Sequence, residues 1–223
     1  MSWPRNLVLV RHAESEGNVR SVEERAHYEV PTHDYALTER GIRQAEVTGG
    51  FVRENFAVEE AVRYVSYYRR SKETMGRVCS GLKAYEDPRL AEGQRGIWHT
   101  MTEEDIARQY PGEVERKRRE GLYHYRAPGG ENWPDIELRI HSFLGTLSRD
   151  YEDRTVVIVC HGHWLILLQR LIHHFSIEEA VRRYREGVFE NASVTLYRGE
   201  AVGGKPALRL EYENKVPWQG KIN

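Results

Sequence analysis

The sequence predicts an α/β protein: a three-layer α/β/α sandwich around a mostly parallel central sheet. Two observations carry this. Short apolar runs rich in β-branched residues alternate along the chain with stretches of helical periodicity, the pattern of strand–helix–strand units with helices on both faces of a sheet. No internal repeat, low-complexity tract or Pro/Ser-rich linker interrupts the 223 residues. They therefore read as one domain, 1–223.

Taken in order, Leu7-Val8-Leu9-Val10 reads as a short buried strand. A polar stretch follows, and then Thr38 is placed as a helix N-cap, with Leu37 and Ile42 as its hydrophobic staple. Ile42, Ala45, Val52 and Phe56 continue the apolar face, although Gly49 and Gly50 weaken it. Residues 62–66 form the next strand, followed by a helix from about 70 to 82 and a short strand near 83–86. Residues 93–130 are polar, aromatic and charge-rich, an excursion from the core with one short helix starting at Thr102. Ile136, Ile140, Phe143 and Leu147 then mark a helix face. Residues 156–160 are the most convincing central strand, and 164–172 a buried helix. Ser176 and Glu179 have the spacing of a capping box. Segments 194–197 and 208–212 alternate like the strands of a closing hairpin.

Composition narrows the function. Thirty-three Lys and Arg against 34 Asp and Glu leave a formal net charge of −1, which argues against nucleic acid as a partner. The longest apolar runs have five residues, where a membrane span needs about twenty. With no signal-peptide core and only Cys79 and Cys160 as cysteines, a cytoplasmic protein without a disulfide framework is expected. Within the balanced charge, 27 of the 33 cations are Arg, the planar bidentate partner of phosphate and carboxylate.

Two strands end alike. Leu7–Val10 runs into Arg11-His12, and the 156–160 strand runs into His161-Gly162. Ligands of open α/β sheets bind outside the carboxyl ends of strands, so two histidines can face one crevice. A lone strand-end histidine is more often a satisfied structural residue; the pair reverses that preference. Residues 11–18, Arg-His-Ala-Glu-Ser-Glu-Gly-Asn, resemble the Arg-His-Gly-Glu-Ser-x-x-Asn signature of the histidine phosphatase superfamily, which includes the cofactor-dependent phosphoglycerate mutases. Leu37-Thr38-Glu39-Arg40-Gly41-Ile42-Arg43-Gln44-Ala45 is similar to its Leu-Thr-x-x-Gly-x-x-Gln-Ala element. Ser66-Tyr67-Tyr68-Arg69-Arg70, Leu90-Ala91-Glu92, Pro128-Gly129-Gly130-Glu131 and Cys160-His161-Gly162 follow in family order.

The resemblance implies a phosphoglycerate mutase-like fold and a phosphatase acting on a small phosphomonoester through a phosphohistidine on His12. A neutral imidazole can attack phosphorus and split ester cleavage into two easier steps. Phosphoryl transfer is otherwise positioning and charge stabilisation, for which Arg11, Arg70 and His161 form the expected clamp and Asn18 adds a neutral hydrogen bond. Glu92 is the expected proton donor and later base, a role that needs a pKa raised by its pocket. Arg69 can exchange roles with Arg70, and Glu14, Glu86, Asp87 and Glu103 are other conceivable donors. No metal and no cofactor is expected. The substrate is the expected partner, and a homodimer is compatible with the sequence.

Three rival readings stay open: a phosphoglycerate mutase-like phosphotransferase, a metal-dependent hydrolase using His161 and His163, and a silent phosphate-binding module. The compact excursion favours the phosphatase branch. Ala13 replaces the family's glycine, and a methyl there can crowd a close packing. Asn191-Ala192-Ser193 fits a glycosylation sequon and reads as coincidence. His173 and His174 read as a helix end where a charged imidazole complements the dipole. Within the excursion, Arg116-Lys117-Arg118-Arg119, His124 and Arg126 read mainly as solvated cations, one or two of which can reach a second anionic group.

Overall fold

The computed structural model describes residues 2–222. In chain order the elements are β1 (Asn6–Arg11), α1 (Glu16–Val19), α2 (Val22–Ala26), α3 (Glu39–Asn55), β2 (Val62–Val65), α4 (Arg69–Val78) and β3 (Tyr85–Glu86). There follow α5 (Ile97–Thr100), α6 (Glu103–Gln109), α7 (Glu113–His124), α8 (Trp133–Asp150), β4 (Thr155–Cys160), α9 (Gly162–His173), α10 (Ile177–Glu186), β5 (Val194–Val202) and β6 (Lys205–Lys215). The six strands form one sheet in the order β3-β2-β4-β1-β5-β6. β3, β2, β4 and β1 run parallel, and β5 and β6 close the edge as an antiparallel hairpin.

The side-chain alternation of the central strands makes the three layers. Leu7, Leu9, Val156, Ile158 and Cys160 face one side, where they pack with Ile136, Ile140 and Phe143 of α8 and Trp164, Leu165 and Leu168 of α9. Val8, Val10, Val157 and Val159 face the other, against Val52 of α3 and Met75 and Val78 of α4. All four residues of the expected first strand are wholly buried, as a parallel strand covered on both faces requires.

Local signals shape the elements that reach the cleft. Thr38 caps α3, its side chain accepting from the Gly41 amide at 2.9 Å. Leu37 and Ile42 pack together with Ala13, Ala45 and Ala192. Ala13 is thus accommodated: it is buried, its φ is not positive, and its amide donates to Thr74 Oγ1 at 3.0 Å. Ser176 caps α10, but only half of the expected box forms. Its Oγ accepts from the Glu179 amide at 3.1 Å, while the Glu179 carboxylate is taken by Arg182 at 2.7 and 2.9 Å.

The excursion departs from expectation. Thr102 does cap a short helix, α6, but α5 and α7 flank it, so three helices stand where one was expected. α7 carries little apolar periodicity, with Tyr123 its buried residue. Its support lies in i,i+3 ion pairs, Glu113–Arg116 and Glu115–Arg118, each worth only a few tenths of a kcal/mol. The polar stretch after β1 also holds the short helices α1 and α2.

Gly41 permits the close approach of α3 to the segment after β1. A Cβ there would lie 1.9 Å from the Glu14 carbonyl oxygen. Gly41→Ala should therefore cost about 1–3 kcal/mol, read as a lower urea midpoint at unchanged slope.

Candidate active site

β1 and β4 are hydrogen-bonded neighbours in parallel, with Arg11 opposite Cys160. The residues that follow them, His12 and His161, therefore emerge side by side. The His12 amide donates to the Cys160 carbonyl at 2.9 Å, and the two rings stand edge-to-face with centroids 5.1 Å apart. β2, next to β4, ends at Val65; Ser66 follows it and α4 begins at Arg69, which brings Arg70 to the same point.

Hydrogen bonds define both imidazole tautomers. His12 Nδ1 lies 2.8 Å from the Ala13 carbonyl. A carbonyl only accepts, so Nδ1 carries the proton and Nε2 keeps its lone pair. Arg70 Nε donates to that Nε2 at 3.2 Å. The Arg70 guanidinium also donates to the Thr32 carbonyl at 2.9 Å and to His161 Nδ1 at 3.3 Å. Arg has no acceptor, so His161 Nδ1 accepts, and its Nε2–H donates to Ser66 Oγ at 2.8 Å. The Tyr68 ring packs under the Arg70 guanidinium at 4.5 Å and edge-on to His161 at 4.9 Å.

Both imidazoles are held neutral, their pKa values pushed well below the usual histidine range by burial first and the Arg70 charge second. Glu92 Oε2 lies 3.9 Å from His161 Nδ1, and with the ring neutral this is no ion pair. Burial also lowers the Arg11 and Arg70 pKa values, opposed by the Glu92 charge; a guanidinium remains protonated in any case.

A cleft of about 520 Å3 opens on this group, lined by Arg11, His12, Asn18, Arg70 and Glu92 among others. His161 is wholly buried and lies behind the lining. Glu92 brings the one carboxylate of the lining. The other acids considered above are engaged elsewhere or lie away: Glu14 with Thr38 and Arg40, Glu86 with Lys72, and Asp87 with Arg89. Arg69 is exposed and paired with Glu73, leaving the cleft to Arg70. Arg11 donates to the Phe189 carbonyl, while its buried Nε has no partner. Gly162 makes room for it, since a Cβ there would come within 3.3 Å of that nitrogen. Asn18 Oδ1 accepts from the Ser15 amide and hydroxyl at 3.0 and 2.9 Å, which turns its Nδ2 donor the other way.

Several participants were not legible from motifs. Asn191, part of the sequon, donates to the His12 carbonyl at 3.0 Å and to Asn18 Oδ1 at 3.4 Å. Arg25, Arg95, His99 and Tyr35 also line the cleft, and neither Arg25 nor Arg95 forms an ion pair among the described residues. The cations at 116–126 do not reach it. Arg116, Arg118 and Arg126 pair with Glu113, Glu115 and Asp135, and Lys117 lies over the Trp98 ring. His173 ends α9 as expected, but its Nε2 meets Tyr197 Oη at 2.7 Å and burial lowers its pKa, so it does not complement the dipole as a cation.

The chain matches the histidine phosphatase superfamily (branch 1) over residues 7–210. It belongs to that superfamily. A phosphoglycerate mutase-like protein of Arabidopsis thaliana is 29% identical over 71% of this chain and 62% of its own length, so the match spans less than two thirds of that relative. Phosphoserine phosphatase 1 of Hydrogenobacter thermophilus is 29% identical over 70% of each chain. Among solved structures, a mycobacterial glucosyl-3-phosphoglycerate phosphatase in complex with VO3 is 25% identical, with a TM-score of 0.69 over 95% of this chain and 99% of that one. These likenesses place the six-stranded sheet of this histidine phosphatase superfamily member among folds of the same family. Among the described residues no helix is long and apolar enough to cross a membrane.

The neutral histidines make stability pH-dependent. Unfolded, each titrates near 6.5, so below that pH the unfolded chain binds protons that native His12 and His161 refuse. Their contribution is complete above about pH 6.5. It is lost on acidification, by roughly 1.4 kcal/mol per pH unit for each, until the folded pKa is reached. Urea midpoints should fall between about pH 7 and 5, and His161→Gln should flatten that decline. An equally steep decline in the variant would show that His161 is charged in the native protein.

Proposed function

We propose that this protein hydrolyses a small phosphomonoester by way of a phosphohistidine on His12. The observation that carries the reading is the His12 tautomer: Nδ1–H is committed to the Ala13 carbonyl, which leaves Nε2 unprotonated, its lone pair held by Arg70 Nε, at a cleft lined by Arg11, Arg70 and one carboxylate. In the first step Nε2 attacks phosphorus. The N–P bond forms as the P–O bond to the leaving group breaks, and the leaving alkoxide takes a proton from Glu92. In the second, Glu92 removes a proton from water, whose oxygen attacks phosphorus, breaks the N–P bond and releases phosphate.

Arg11 and Arg70 supply the positive charge for the equatorial oxygens. The unpartnered Arg11 Nε supports this, since a phosphate oxygen there would satisfy a buried donor that is costly to leave unpaired. Asn18 Nδ2 adds a neutral donor. His161 acts from beneath by accepting from Arg70 and so fixing its guanidinium against His12. Arg25 and Arg95 add charge at the rim. The phosphatase relatives support hydrolysis.

The phosphoglycerate mutase-like name of the Arabidopsis relative favours a second reading, transfer to another hydroxyl. It shares the phosphoenzyme and differs in the acceptor. The metal reading of His161-Gly162-His163 finds no support in the side-chain surroundings. The His163 ring packs between Trp133 and Tyr184, and the His161 ring between His12 and Tyr68. Among the described residues, no group of three or more His, Cys, Asp or Glu side chains is placed to hold a metal ion.

Brief exposure to an aryl phosphate should leave an acid-labile, base-stable phosphate on His12, located by mass spectrometry and absent in His12→Ala. Activity lost to chelators with no such label would overturn the mechanism. Phosphoglycerate interconversion faster than phosphate release would select the transferase. Arg11→Ala and Arg70→Ala should each lower kcat by about 10²–10³, the usual loss for one preorganised donor. Glu92→Gln should slow alkyl phosphates far more than 4-nitrophenyl phosphate, whose leaving group needs no proton. Equal slowing of both would remove Glu92 as the acid.

A further inference from the structure

Beside the phosphate cleft lies a second cavity, of about 460 Å3, whose walls include Trp98, Met101, Tyr125, Trp133, Ile136 and Tyr184. Arg25 and the strip Gly93-Gln94-Arg95 line both spaces, so the two adjoin. That strip directly follows Glu92. In the reaction proposed above, the leaving group departs toward its proton donor, and hence toward this second space. The pocket is preorganised: Trp98 Nε1–H donates to Tyr125 Oη at 2.9 Å, and Trp133 stands edge-on to Tyr184 at 5.2 Å. His163, which the reaction does not use, completes the wall. Its ring lies 4.6 Å from Trp133 and 4.8 Å from Tyr184, and its buried Nε2 has no hydrogen-bond partner. Burial lowers its pKa to about 3, so the nitrogen belongs to a neutral ring.

We infer that this aromatic annex receives the leaving group, and that the substrate class is a phosphomonoester of an aromatic or bulky apolar alcohol. The inference rests on the His12–Glu92 reading, which fixes the direction of departure. An apolar body displaces water from the aromatic walls, and one polar atom on it can satisfy His163 Nε2. The walls also carry Arg25, Arg95 and Lys117, but Glu23, Glu103 and Glu131 match them in number, so a second anionic group meets no net positive charge here. Such an annex binds ground state and transition state alike, so its effect belongs in KM and not in kcat.

The test compares 2-(2-naphthyl)ethyl phosphate with ethyl phosphate, which have alkoxide leaving groups of similar basicity. The naphthyl ester should show kcat/KM roughly tenfold or more above ethyl phosphate, a gain the burial of one aromatic body can supply. Trp98→Ala, which opens a wall, and Met101→Trp, which fills the space, should each reduce that ratio through KM. The proposal is overturned if a phosphoenzyme forms but the two esters react equally. It is also overturned if phosphoserine or 3-phosphoglycerate outperforms the naphthyl ester, or if neither substitution changes the ratio. Absence of any phosphoenzyme with all four esters would overturn the proposed function and this inference together.

Discussion

Because β1 and β4 pair in parallel with Arg11 opposite Cys160, residues 149 positions apart in sequence arrive as neighbours, and the rest of the site is assembled around that pair. The backbone ladder continues one residue past β1, from the His12 amide to the Cys160 carbonyl at the end of β4. The His12 backbone is thereby held directly beside the residue that precedes His161. The pairing is also the sheet's switch point. After β1 the chain goes to α3 on one face, and after β4 to α9 on the other. The divergence leaves a crevice at the carboxyl edge.

Burial then does the electrostatic work. Moving His12 and His161 out of water penalises their charged forms, and the neighbouring guanidinium penalises them further. The same burial leaves Arg11 and Arg70 charged, because a guanidinium holds its proton far more tightly. One desolvated spot therefore holds neutral imidazoles beside permanent cations. Ser66 and Tyr68, just after β2, secure the group from beneath by contacting His161 and Arg70.

The sequence reading succeeded where a signal is local. The buried strands, the Thr38 cap and the paired strand-end histidines each follow from a few adjacent residues. It missed α7, because that helix has little apolar periodicity and is held by ion pairs and by packing of Tyr123. It took Asn191 for a chance sequon, because only the folded chain places that side chain beneath the His12 carbonyl. It grouped His161 with the phosphate clamp, and the fold adds that the ring is wholly buried and accepts from Arg70. It looked to 116–126 for one or two further cations, where Arg116, Arg118 and Arg126 are paired and Lys117 lines the neighbouring cavity, and not to Arg25 and Arg95, which belong to no motif and reach the cleft through chain path alone.

The sequence by itself determined the layered α/β class, the order of its main strands and the chemical identity of the site: imidazole, guanidinium and carboxylate at the ends of apolar strands. Those properties reside in side-chain type and in short-range periodicity. Only the tertiary structure decided which arginine of the Arg69-Arg70 pair faces His12, which acid shares the cleft, which nitrogen of each imidazole carries the proton, and that an aromatic compartment adjoins the Glu92 side. These depend on distances between segments far apart in the chain. No local pattern encodes such distances until strand pairing and core burial bring the segments together.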